Sequence, residues 1–74
     1  MTAFGNFLYA LRKEKGMTQQ ELAEKLNITN KAVSKWETGE AFPETSQLVP
    51  LANIFGVSVD ELLRGERIAE KSTE

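Results

Sequence analysis

The glycines divide the chain into short segments, and this division restricts the fold more than any other feature of the sequence. Four of the five glycines follow a stretch whose apolar residues recur three and four positions apart, as on one face of a helix. Glycine is favoured just after a helix because it adopts the left-handed backbone conformation without strain. The pattern therefore predicts four helix ends, at Gly16, Gly39, Gly56 and Gly65.

Helix start signals complete this division. Thr18 and Glu21 have the spacing of a capping box, in which a hydroxyl and a carboxylate bond to free amide groups of the first turn. The predicted starts are Thr18, Thr29, Thr45 and Ser58, the last again with a carboxylate three residues later, at Glu61. The sequence therefore predicts an all-α fold of five helices, roughly Ala3 to Lys15, Gln19 to Leu26, Asn30 to Thr38, Ser46 to Phe55 and Val59 to Arg64.

The apolar stripes of these helices predict one shared core. Trp36 is assigned to that core because it is in phase with Val33 on the third helix. Gly5, near the start of the first helix, and Pro50, inside the fourth, break local rules. If the fourth helix starts at Thr45 or Ser46, Pro50 lies at the edge of its first turn, and a kink that tilts Leu51 and Phe55 into the core would explain it. The predicted core residues are Phe4, Leu8, Leu11, Leu22, Ala23, Leu26, Val33, Trp36, Leu48, Leu51, Ala52, Phe55, Leu62 and Leu63, with Met17, Ile28 and Val57 at the connections.

The composition excludes several classes of function. A chain of 74 residues has material for one domain only. It contains no cysteine and no histidine, so disulfides, thiol nucleophiles, Cys/His zinc sites and imidazole acid–base catalysis are excluded. We therefore expect no enzyme activity, no cofactor and no metal site. With no signal-peptide or membrane-spanning pattern, the sequence predicts a cytoplasmic protein without membrane contact in these residues.

The connection between the second and third helices indicates the architecture. Only Asn27, Ile28 and Thr29 separate the two helices, too few residues for a long antiparallel contact, so the helices should cross steeply. Asn27 tolerates the left-handed conformation that such a turn needs, and Ile28 can fill the corner. This segment is predicted to be a helix-turn-helix.

At this point the sequence resembles the Xre/Cro-type helix-turn-helix family, whose members include lambda-type phage repressors. The resemblance extends from Phe4 to Leu63 through the strings LRKEKGMTQQELAEKLNIT, KAVSKWETG and FPETSQLVPLANIFGVSVDELL. It implies a compact five-helix, lambda-repressor-like bundle over residues 1–64, followed by a polar tail over residues 65–74 that we expect to fray. In the family the third helix enters the DNA major groove, and dimers commonly occupy palindromic operators.

The resemblance also implies roles for individual residues. Base contacts fall on Thr29, Asn30, Lys31 and Lys35, and phosphate contact falls on Gln19. Lys31 and Lys35, four positions apart, share a helix face, although an amphipathic helix can carry such residues simply as its solvated side. Lys13 and Lys15 are further phosphate candidates with the same alternative, and Arg12 and Glu37 match a structural salt bridge.

Charge is distributed unevenly along the chain. The net charge is −2, but residues 1–35 carry six basic and three acidic side chains, or +3, whereas residues 36–74 carry three basic and eight acidic, or −5. One face can therefore be positive although the whole protein is acidic.

The sequence departs from the family pattern at three positions. Asn27 replaces a common glycine, and Glu40 and Glu44 stand where relatives often carry lysine or arginine. We expect modest DNA affinity from a single protomer.

These observations predict a sequence-specific DNA-binding transcriptional regulator, homodimeric on DNA, that represses by occupying an operator. One alternative is a protein-interaction module, such as an antitoxin or adaptor, with exposed apolar residues at Phe7, Tyr9, Phe42 or Val49. Another is the N-terminal DNA-binding part of a longer regulator. The fourth and fifth helices and Ile68 are candidates for the dimer surface.

Overall fold

A computed structural model describes residues 2–68 and contains five helices in this range. Their bounds are α1 Ala3–Glu14, α2 Gln19–Leu26, α3 Asn30–Thr38, α4 Thr45–Phe55 and α5 Val59–Arg64. No strand occurs among the described residues, so the all-α prediction is confirmed. None of the described helices has the length and apolar character needed to cross a membrane.

The predicted caps are present, with one exception. Thr18 and Ser58 each form a complete capping box, and Thr29 accepts a hydrogen bond from the amide of Ala32. The prediction of Thr45 as an N-cap is wrong, because Thr45 is already helical and the extended residue before it, Glu44, is the cap. Glu44 makes no side-chain capping bond. The start of α4 therefore lacks the local signal that marks the other predicted starts.

The core lies where the helices meet, and it follows the predicted stripes. Contacts join α1 to α3 and α5, α2 to α3 and α4, and α4 to α5. The prediction of Leu63 as a core residue is wrong, because its side chain is 52% exposed while the neighbouring Leu62 is fully buried. Adjacent residues of a helix point in directions about 100° apart. On α5, Leu62 points into the core and Leu63 lies on the exposed side of the helix.

Helix α1 packs unusually close to α3. A Cβ atom added at Gly5 would overlap the carbonyl oxygen of Glu37 and would lie 2.9 Å from the carbonyl oxygen of Trp36. Gly5 is therefore required by tertiary packing, although glycine lowers helix stability in a helix interior. This contact places the backbone of α1 directly against the C-terminal half of α3.

The segment after α5 folds back towards α1. Arg67 donates two hydrogen bonds to the carboxylate of Glu14, at 2.8 and 3.0 Å, and the amide of Ile68 donates to Glu61 at 2.9 Å. Residues 65–68 of the predicted tail thus contact the helical body. Residues 69–74 lie outside the described part of the chain, and fraying of the tail stays a prediction.

Candidate nucleic-acid interface

The turn between α2 and α3 has the tight geometry that the sequence predicts. Asn27 adopts a left-handed conformation, with φ 61° and ψ 43°, and is the only non-glycine residue with positive φ among those described. The amide of Ile28 then donates to the carbonyl of Ala23 at 2.9 Å, while the Ile28 side chain packs against the core. Asparagine is among the few residues that tolerate this conformation. The helix-turn-helix prediction is therefore confirmed in the backbone.

Helix α3 is buried along one side and exposed along the other. Val33 is fully buried and Trp36 is 6% exposed, so this side anchors the helix to the core. The predicted base-contact residues all lie on the exposed surface of α3 or at its start: Thr29, Asn30, Lys31 and Lys35. Within residues 2–68, neither lysine on this surface forms a salt bridge. Both ammonium groups are therefore free of intramolecular ion pairing there.

Thr29 combines a structural role with its predicted contact role. Its hydroxyl oxygen accepts a hydrogen bond from the amide of Ala32 at 3.2 Å, and this bond caps the N-terminus of α3. The hydroxyl hydrogen remains available, because a hydroxyl can accept and donate at the same time. Capping and a hydrogen bond to DNA are compatible at this residue.

A buried ion pair connects α1 to α3. Arg12 and Glu37 are 6% and 3% exposed, and the guanidinium donates Nε to Oε2 at 2.7 Å and Nη2 to Oε1 at 3.1 Å. Hydrogen bonding to Glu37 raises the pKa of Arg12, against the opposing effect of burial. Replacing either partner would leave a buried charge without compensation, which typically costs about 3–5 kcal/mol. The pair therefore sets the position of α3 relative to α1.

The ion pair extends into a larger network that reaches the start of α2. Arg12 Nη1 also donates to the carbonyl oxygen of Met17 at 2.8 Å, in the turn that precedes α2. Gln19, the first residue of α2, donates its Nε2 to Glu37 Oε1 at 3.1 Å. No buried side-chain nitrogen or oxygen in the described residues lacks a partner. Three helices are thus tied together at one point beside the exposed surface of α3.

The bond between Gln19 and Glu37 is a feature that the sequence analysis missed. The predicted phosphate-contact residue is half-buried, and one of its two amide hydrogens is already used inside the protein. The two residues are 18 positions apart, so no local spacing signals the contact. The second amide hydrogen remains for an external acceptor.

The other predicted phosphate contacts, Lys13 and Lys15, are both exposed near the end of α1. The ammonium of Lys13 lies 5.8 Å from the centre of the Tyr9 ring, and the guanidinium of Arg12 lies 5.3 Å from the same centre. Glu14, which lies between the two lysines in the sequence, forms a salt bridge with Arg67. Hydrogen bonding to that arginine lowers the pKa of the Glu14 carboxyl.

Two exposed carboxylates follow α3. Glu40 lies just after the Gly39 cap, and its amide donates to the carbonyl of Lys35 at 2.9 Å. Glu44 is the cap residue of α4 and is also exposed. Neither forms a salt bridge within the described residues. No group of His, Cys, Asp or Glu side chains in that part of the chain could hold a metal ion.

Comparison with known proteins identifies this arrangement. The family model described as helix-turn-helix matches residues 8–62. The chain is 42% identical over 65 residues to the HTH-type transcriptional activator BcrR of Enterococcus faecalis, covering 88% of this chain and 32% of BcrR. It is 39% identical over 70 residues to the HTH-type transcriptional regulator ImmR of Bacillus subtilis, covering 95% of this chain and 55% of ImmR. The chain thus spans about a third to a half of these relatives.

A solved structure matches the fold along nearly its full length. The P22 c2 repressor protein in complex with synthetic operator 9T superimposes with a TM-score of 0.82 and 30% sequence identity. The match covers 89% of this chain and 100% of the repressor chain. This chain and the P22 c2 repressor chain therefore share one fold.

Proposed function

We propose that this chain, which belongs to the helix-turn-helix family, is a sequence-specific DNA-binding regulator of transcription that represses by occupying an operator. The observation that carries the proposal is the exposed surface of α3, where Asn30, Lys31 and Lys35 project from a helix anchored by Trp36 and Glu37. An α-helix fits the major groove, where each base pair presents a distinct pattern of donors and acceptors. The likeness to a repressor whose structure contains operator DNA supports the same conclusion.

The residues divide into two kinds of contact. Lysine donates to the acceptors of guanine and asparagine pairs with adenine, so Lys31, Lys35 and Asn30 read bases, with Thr29 at the helix start. Gln19 binds phosphate at the N-terminus of α2, where the helix dipole favours an anion, and Lys13 and Lys15 add charge nearby. Phosphate contacts position the protein without reading sequence. Binding DNA in this way requires no catalysis, and the proposal includes that the chain is not an enzyme.

The proposal also includes a homodimer on a palindromic operator. A two-fold dimer of helix-turn-helix domains places its half-sites about 34–36 Å apart, one turn of DNA. Leu63 on α5 and Val49 on α4 are 52% and 56% exposed, and both lie on the helices predicted to form the dimer surface. Such a regulator works in the compartment that holds the chromosome, so the cytoplasmic location predicted from the sequence belongs to this proposal.

The experiment that tests DNA recognition compares two alanine substitutions. Lys31→Ala should relax the preference at one base position by about 1–3 kcal/mol, because one base contact is lost. Gln19→Ala should weaken binding to all sequences by a similar factor, because phosphate contacts are independent of sequence. Affinities are measured by competition against single-base variants of an operator selected from a random duplex pool. Lys25→Ala, an exposed lysine outside the predicted contacts, is the matched control.

Several outcomes would contradict the proposal. Equal loss on every operator variant for Lys31→Ala would remove that residue from base recognition. Binding that is absent, or that does not weaken as salt is raised, would favour the protein-interaction alternative, because phosphate contacts make DNA affinity depend on salt. Transcription in vitro from a promoter that overlaps the recovered operator tests repression, and an increase in transcript would reverse the direction proposed.

A further inference from the structure

We propose that Glu37 is a positioning residue for phosphate binding, because it fixes the orientation of the Gln19 side-chain amide before DNA is bound. The inference deepens the proposed function and rests on it. Glu37 itself is buried and is not proposed to touch DNA. It acts through one hydrogen bond, from Gln19 Nε2 to Glu37 Oε1 at 3.1 Å.

The chemistry of Glu37 determines which end of the amide faces it. A carboxylate has acceptors and no donor, and both Glu37 oxygens already accept hydrogen bonds from the Arg12 guanidinium, at 2.7 and 3.1 Å. Only the NH2 group of Gln19 can therefore bond to it. In the opposite orientation, the amide oxygen would face a carboxylate oxygen and the bond would be replaced by repulsion. The orientation of this amide follows from its partner.

The fixed orientation matters because of where Gln19 lies. It is the first residue of α2, where free backbone amides and the helix dipole favour an anion. With one amide hydrogen on Glu37, the second hydrogen is held in a defined plane and is ready to donate. A glutamine free to rotate would also present its oxygen to the phosphate and would lose side-chain entropy when it became ordered.

Arg12 makes this arrangement electrostatically tolerable. A lone carboxylate beside a phosphate site would repel the DNA backbone, but the Glu37 charge is matched by a guanidinium at 2.7 Å. The same guanidinium donates to the Met17 carbonyl, which holds the turn before α2. The network therefore presents an oriented N–H donor without presenting a net negative charge.

The test is a double-mutant cycle between Glu37→Gln and Gln19→Ala, in which affinity for duplex is measured and corrected for the folded fraction. Alone, Glu37→Gln should lower the affinity for all operator variants by about threefold to tenfold, because an amide at position 37 both donates and accepts and no longer fixes which end of the Gln19 amide faces it. In the Gln19→Ala background, the same substitution should lower affinity by a clearly smaller factor, because only its effect on the position of α3 remains. Gln20→Ala is the matched control, because the Gln20 amide bonds to Glu24 on the exposed surface.

Nuclear magnetic resonance of the free protein gives a readout that does not depend on DNA. The two side-chain amide hydrogens of Gln19 should be well separated in chemical shift and protected from exchange. In Glu37→Gln they should approach the values of a glutamine side chain that forms no hydrogen bond within the protein. If Glu37→Gln does not fold, Glu37→Asp serves in the same cycle, since it keeps the charge for Arg12 but withdraws the acceptor by one methylene group.

The results that would overturn the inference are distinct from those that would overturn the proposed function. An equal loss of affinity from Glu37→Gln in both backgrounds would mean that Glu37 acts by placing α3 and not through Gln19. Unchanged Gln19 resonances in the variant would refute the fixed amide directly. Failure of the wild-type chain to bind any duplex would refute the proposed function and the phosphate contact of Gln19. The side-chain resonances would still report whether Glu37 orients Gln19.

Discussion

Replacing Gly5 with alanine tests how closely α1 and α3 are packed. The added Cβ atom would overlap the Glu37 carbonyl oxygen and would lie 2.8 Å from the Glu37 carbonyl carbon, whereas ordinary contact begins at 3.4 Å. The helices must therefore separate by at least 0.6 Å, the difference between these two distances. The obstructing atoms belong to the backbone, so no side-chain rotation relieves the overlap.

Two opposing effects set the size of the change. Alanine is favoured over glycine in a helix by at most about 1 kcal/mol. Overpacking of a well-packed contact costs about 1–3 kcal/mol, and a clash with backbone belongs at the upper end of that range. We expect a net loss of about 1–2 kcal/mol in the free energy of unfolding. For a domain of this size, that loss lowers the melting temperature by about 5–15 °C.

Urea unfolding followed by circular dichroism measures this change, and Ala10→Gly supplies the matched control. Ala10 lies on the exposed face of the same helix, so its replacement reports helix propensity without a tertiary clash. The control should lose about 1 kcal/mol, which would show that alanine is intrinsically preferred in α1. If Gly5→Ala is as stable as the wild type or more so, the close approach of α1 to α3 is not a constraint and the reasoning fails.

Three further predictions concern charge and association. Hydrogen bonds from the amides of Ser58 and Ile68 lower the pKa of the Glu61 carboxyl. The ionised carboxylate therefore stabilises the fold at pH values above the usual carboxyl pKa, and this stabilisation is lost as the pH falls through the lowered pKa of Glu61. Urea midpoints of wild type and Glu61→Gln should therefore converge on acidification, and a constant difference would contradict this. Changing Glu40 and Glu44 together to lysine should make the plot of log affinity against log salt concentration steeper, by about 0.9 for each additional phosphate that the protein neutralises. An unchanged slope would place both side chains away from DNA. Leu63→Glu should weaken binding to a two-half-site duplex and spare a single half-site; an equal effect on both would exclude Leu63 from the dimer surface.

Local signals account for most of the agreement between sequence and structure. The capping boxes at Thr18 and Ser58 and the left-handed Asn27 depend on residues within three or four positions, and each is present as predicted. The exposed lysines of α3 follow from helix periodicity once Val33 and Trp36 are assigned to the core. The ion pair of Arg12 and Glu37 is different, because family resemblance rather than spacing indicated it.

Two contacts that the sequence did not reveal join residues that are remote in the chain. The bond from Gln19 to Glu37 spans 18 positions, and the pair of Arg67 with Glu14 spans 53. Leu63 is exposed because the short α5 turns Leu62 to the core, and α4 begins without a side-chain cap. The two remote contacts do not follow from a residue and its near neighbours.

By itself, the sequence determined where most of the helices begin and end and which side of each is apolar, because capping and periodicity act within one or two turns. Only the tertiary structure decided how near α1 lies to α3, and why a glycine stands at position 5 in a helix. It also decided that the Gln19 amide meets a buried carboxylate. Packing brings together groups that are remote in the chain, and their chemistry becomes apparent only when the distances between them are known.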